Sequence, residues 1–120
     1  MGLEVGFFSL PVNDFAMAKR FYNSVMDWEF EQRDERFCYI NSGDNMIGAL
    51  ELPDDSFRPS NHGPKLYFRA NTMNLTLSKV VPMGGIVSID CTPIDGGERG
   101  YTAEVSDPFG NRIAFWAPEQ

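Results

Sequence analysis

The chain of 120 residues is predicted to fold as an α+β protein built from two tandem β-α-β-β-β units. Three observations lead there. Stretches that alternate with period two and stretches with the 3.6-residue period follow one another in the same order twice. A shift of 58 positions lays Val12 on Ala70, Asp14 on Thr72, Phe15 on Met73 and Asp27-Trp28 on Gly85-Ile86. Between the halves, residues 53–64 are rich in Pro, Ser, Asp, Asn and Gly, the composition of a connecting segment. The expected organisation is one domain over 1–120, with unit one at 1–52, a linker at 53–64 and unit two at 65–120.

Residues 5–12 place Phe8, Leu10 and Val12 on one side and Phe7 and Ser9 on the other, which predicts a strand. Asp14 is positioned to cap a helix whose Ala18, Phe21, Tyr22 and Val25 recur at i, i+3, i+4 and i+7, ending near Asp27 and Trp28. Strands are expected at 28–32, 37–41 and 46–52, separated by the charged stretch 33–36 and the turn residues 42–45. The order then restarts with a short strand at 65–70. Thr72 can cap a helix carrying Met73, Leu77 and Val80, and Gly84-Gly85 stops it. Pro82 should shorten or distort its last turn. Strands follow at 86–91, 101–106 and 112–116, the first two joined by a hairpin turn around Gly96-Gly97 and Gly100.

With 42% hydrophobic and 22% charged residues, the chain can bury a core of its own. Its net charge of −7 without a basic run argues against a nucleic-acid partner. The start of the chain, residues 1–12, carries Glu4 and is too short in its apolar run for a signal or membrane segment, so a cytoplasmic protein with no membrane partner is expected. Cys38 and Cys91 are isolated and read as plain core thiols.

Leu10-Pro11-Val12-Asn13-Asp14 leading to Ala18, Phe21 and Tyr22, then Gly84-Gly85, and above all Asp107-Pro108-Phe109-Gly110-Asn111 followed by Ile113, give the chain its family likeness. It resembles the vicinal oxygen chelate superfamily, which includes glyoxalase I, the bleomycin and fosfomycin resistance proteins and the extradiol dioxygenases. The resemblance implies a curved, largely antiparallel sheet around a cleft, with helices outside. It also implies four metal-ligand places, which fall here on Phe7, Glu51, Lys65 and Ala114. Phe7 and Ala114 carry no donor atom, Lys65 would oppose a cation, and His62 is the only histidine in the chain. A degenerate site is therefore expected, with no metal and no other cofactor.

The same strand parity gives an inner face of Phe7 and Ser9, then Ile47, Ala49 and Glu51, then Lys65, Tyr67 and Arg69, then Arg112, Ala114 and Trp116, with Glu104 also within reach. Lys65 is expected to pair with Glu51. Phe7, Ser9, Glu51, Lys65, Tyr67, Arg69, Arg112 and Trp116 are the candidate ligand-binding residues, cations for an anionic group and aromatics for an apolar part. The function expected from this set is metal-free binding of a small polar or anionic molecule. The alternative is a lyase or isomerase acting on a small carbonyl-bearing metabolite, with Glu51 as the catalytic base and Tyr67 or Lys65 stabilising charge. A partner module with an unused cleft is a third reading. A symmetric homodimer is expected, because relatives often complete the cleft across a subunit boundary.

Overall fold

Two copies of one strand order make up the protein. In the computed structural model, which describes residues 2–120, β1 (Phe8–Pro11) leads into α1 (Phe15–Met26), then β2 (Glu29–Gln32), β3 (Phe37–Ser42) and β4 (Asn45–Glu51). The second half contributes β5 (Tyr67–Arg69), α2 (Met73–Leu77), β6 (Ile86–Pro93), β7 (Tyr101–Ser106) and β8 (Arg112–Ala117). The strands form two mixed four-stranded sheets, ordered β1-β4-β3-β2 and β5-β8-β7-β6. In each, the first strand lies parallel to the last and the other pairs are antiparallel. The α+β class and the repeated unit are as the sequence implies, but the eight strands hydrogen-bond as two open sheets.

Local chemistry sets the helix ends. Asp14 accepts the Met17 N–H at 3.0 Å at the start of α1, and Asp27, at φ 57°, closes it by donating its N–H to the Asn23 carbonyl. The buried stripe of α1 is Ala18, Phe21, Tyr22 and Val25, the four residues given by the periodicity. Pro82 has no N–H to continue a helix, so α2 spans only five residues and the chain proceeds through a 3-10 turn, Val81–Met83, to Gly84 at φ 95°.

Strand lengths follow their partners more than their own alternation. β1 begins at Phe8 and not at residue 5: its rungs on β4 run only from Gly48 to Glu51, although β4 itself starts at Asn45. β5 is likewise limited to the three rungs opposite Ala114–Trp116. Phe7 and Lys65 therefore precede their strands. A bulge between Ile40 and Asn41 shifts the β3–β4 register. Ile47, expected on the inner face, instead packs against the helix-side core beside Val25, Trp28 and Phe68.

The helix-facing sides of both sheets and both helices share one core. Leu10, Cys38, Ile40 and Leu50 from the first unit join Ala103, Val105, Ile113, Phe115 and Ala117 from the second. An aromatic cluster spans the units: Trp28 stacks on Tyr22 with centroids 5.3 Å apart, and Phe8 and Trp28 each meet Phe68, at 5.4 and 5.3 Å. Burying each large ring contributes about 1.5–3 kcal/mol. Gly85 is required at the joint, since a Cβ there would lie 2.7 Å from Phe21 Cε1 and 2.6 Å from the Ser106 carbonyl oxygen.

The Asp107-to-Asn111 turn ties the units together. The buried Asp107 carboxylate accepts from Tyr22 Oη at 2.6 Å, Asn111 Nδ2 at 2.8 Å, and the Phe109 and Asn111 N–H groups at 2.9 Å each. Asn111 Nδ2 also donates to the Pro11 carbonyl at 2.8 Å. One carboxylate thus holds its own turn, α1 and, through Asn111, the end of β1. Burial first, and then the neighbouring Asp107 carboxylate, push the Tyr22 hydroxyl well above the usual phenol range.

Candidate functional site

Opposite the core, each sheet presents an open face. On the second sheet, Tyr67, Ala114 and Glu104 lie in one row across β5, β8 and β7, and Arg69, Trp116 and Thr102 in another. Side chains alternate, so these residues face away from Phe68, Ile113 and Phe115 in the core. The parity assigned from sequence for Tyr67, Arg69, Ala114 and Trp116 is the one observed.

The aromatic end of this face is fixed in place. The Arg69 guanidinium carbon lies 4.9 Å from the centroid of the Trp116 ring, a cation–π arrangement. Trp116 Nε1 donates to the Arg99 carbonyl at 2.9 Å, which holds the indole from the β6–β7 connection. Gly100 permits that approach, because a Cβ there would lie 2.8 Å from the indole. Tyr67 is 51% exposed on the neighbouring row.

Lys65 does not pair with Glu51. Its ammonium forms an ion pair with Glu104, whose side chain is only 12% exposed, on the row occupied by Ala114. The reason is topological: Lys65 and Glu104 flank β8 within one sheet, whereas Glu51 ends β4 of the other. Glu51 sits half-buried opposite Pro11 and Phe37. Phe7 is 60% exposed just before β1.

The four family ligand places do not fit a metal. Phe7 and Ala114 have no donor atom, and the cation at Lys65 is already committed to the nearest carboxylate. Among the described residues, no three or more His, Cys, Asp or Glu side chains converge as a metal site.

Arg112 and Ser9 belong to a different place. Arg112 stands at the start of β8, four residues or about 13 Å of strand from Trp116. Its Nη2 donates to the Gly63 carbonyl at 2.9 Å and its N–H to the Ser60 carbonyl at 3.2 Å. With Ser9 it lines a cavity of about 280 Å³ beneath the linker. The eight candidate binding residues are therefore divided: Lys65, Tyr67, Arg69 and Trp116 on the second open face, Ser9 and Arg112 under the linker, and Phe7 and Glu51 on the first unit. Sequence reasoning missed the Arg99 carbonyl, and it read residues 53–64 only as a connection. The Asp54 and Ser56 pair hinted at an ordered turn; the Asp54 carboxylate accepts from both Ser56 groups and from the Phe57 N–H, and these bonds lower its pKa.

A second space, of about 400 Å³, lies on the helix side between the end of α1 and α2, where Trp28, Phe68 and Phe115 meet Asn71, Thr72 and Lys79. Cys38 is buried and Cys91 half-buried; both are free thiols, pushed up in pKa first by burial.

Comparison with known proteins agrees with this architecture. The fosfomycin resistance protein of Mesorhizobium loti is 13% identical, with a TM-score of 0.72 over 98% of this chain and 93% of that one. A glyoxalase-related enzyme from Fulvimarina pelagi is 18% identical, with a TM-score of 0.73 over 96% and 88%. The lactoylglutathione lyase of Agrobacterium tumefaciens is 17% identical, with a TM-score of 0.65 over 92% and 91%. Such identities speak for the fold alone. No curated protein sequence matches the chain. The profile of the glyoxalase/bleomycin resistance protein/dioxygenase superfamily, however, matches residues 4–115, nearly the whole chain, and the protein belongs to that superfamily.

Proposed function

We propose that the protein binds a small polar or anionic molecule on the open face of the second sheet, without a metal. The observation that carries this is the Arg69–Trp116 platform, a cation fixed over an indole that is itself anchored to the Arg99 carbonyl. Preorganised groups of this kind lose little freedom on binding. Lys65 and Glu104 bound the site where relatives would place a metal, and Tyr67 offers an exposed ring and hydroxyl. The alternative, a lyase or isomerase with Glu51 as base and Tyr67 or Lys65 stabilising charge, is less well supported, because Glu51 ends a strand of the first sheet while both stabilisers belong to the second, where Lys65 is engaged by Glu104. A symmetric homodimer fits the exposed Phe7 and Tyr67, whose rings a second chain would cover while adding its Phe7 and Glu51 to the site.

Titration with a panel of small carboxylates and phosphonates, followed by calorimetry, tests the reading. Trp116→Ala and Arg69→Ala should each weaken the best ligand by about 1–3 kcal/mol while leaving the fold intact. Phe115→Ala, one residue away but in the core, should instead lose about 3–5 kcal/mol of stability. Unchanged affinity in both face variants would reject the site. Elemental analysis finding one tightly held transition metal per chain would reject the metal-free reading.

A further inference from the structure

The cavity beneath the linker has the features of a separate anion site. Its walls are apolar: Leu10 from β1, Leu66 and Ile113 from the second unit, and Phe57 from the linker. Its polar lining includes His62, Arg112 and Arg58, the last paired with Asp55 outside the space at 3.4 Å, and no carboxylate, in a chain whose net charge is −7. Arg112 is tethered through Nη2 to Gly63, yet its Nε is buried without a hydrogen-bond partner among the described residues. A guanidinium that lines a space with no carboxylate of its own offers a charge-assisted bond to a carboxylate oxygen entering that space.

The linker over this space is ordered by its own contacts. Ser60 donates its N–H to Asn111 Oδ1 at 3.2 Å, accepts the Arg112 N–H on its carbonyl, and accepts the His62 N–H on its hydroxyl at 2.9 Å. We propose that this cavity binds a small monocarboxylate with a flat apolar body, the carboxylate at the Arg112 guanidinium and the body among Leu10, Phe57, Leu66 and Ile113. A volume near 280 Å³ suits a single ring and its acid group. The site stands apart from the open-face platform and does not depend on it.

Benzoate, with neutral benzamide as its isostere, is the probe. Amide chemical-shift mapping should show saturable millimolar binding of benzoate that moves Ser9, Phe57, His62 and Arg112, and at least tenfold weaker binding of benzamide. Arg112→Lys replaces the planar fork of guanidinium donors with a single ammonium and should weaken benzoate at least tenfold. Ser9→Leu, which fills the space from β1 and leaves the linker bonds intact, should abolish binding. Trp116→Ala should leave it unchanged, which keeps the outcome independent of the open face. Absence of benzoate binding at millimolar concentration, equal binding of benzamide, insensitivity to both cavity variants, or shifts centred on Tyr67 and Trp116 would each overturn the proposal.

Discussion

Single residues decide how the two units are joined, and Tyr22 is the clearest case. Its hydroxyl donates to Asp107 inside the core, so Tyr22→Phe should cost about 1.5–3 kcal/mol, the scale of a hydrogen bond to a charged group, read as a shift in the urea midpoint at constant slope. The same contact gives a pH dependence of known sign. A phenol held above its ordinary value of 10.0 stays protonated in the folded state, so its contribution is complete below about pH 10 and is lost as pH rises further. Tyr22→Phe should therefore flatten the alkaline limb of the stability profile and leave the neutral region displaced but parallel. None of this pairing was legible in the sequence. Asp107-Pro108-Phe109-Gly110-Asn111 reads locally as a turn, but its partner lies 85 positions away. Lys65 shows the same limit: the sequence names two carboxylates within reach, and only the sheet order selects Glu104 over Glu51.

Elements were legible where a pattern is local and obscure where a partner sets it. The α1 stripe, the interruption at Pro82 and the parity of β5 and β8 all follow from spacing and backbone chemistry. The ends of β1 depend on β4, about forty residues away, and the bulge that turns Ile47 to the core is a register slip within the β3–β4 hairpin that simple alternation does not mark. Arg112 illustrates the consequence for the site: its strand and face were foreseeable, but the Gly63 carbonyl that draws it under the linker was not. The Gly84-Gly85 pair reads as a helix stop, yet Gly85 has a second duty against α1. Gly85→Ala should cost about 1–3 kcal/mol by overpacking Phe21 and the Ser106 carbonyl, measurable by thermal or denaturant unfolding. An unchanged midpoint would mean that α1 can move aside freely.

At the scale of the molecule, the two open faces are the surfaces left to be covered, and light scattering should give twice the chain mass at tens of micromolar. A single-chain mass that does not change on concentration would exclude the dimer. Each open sheet also pairs the first strand of its unit with the last. Phe8 meets Gly48 about forty residues away, and Tyr67 meets Ala114 across a similar span, whereas the remaining strands join neighbours in sequence. Short-range meanders can therefore zip early while β1 and β5 wait for the longest loops to close. The bonds from Tyr22 to Asp107 and from Asn111 to Pro11 require both halves to be in position, which places them late in time. Loosening that joint should accelerate unfolding and leave the folding rate nearly unchanged, so the carboxylate at the waist of the protein governs how long the folded state lasts more than how fast it is reached.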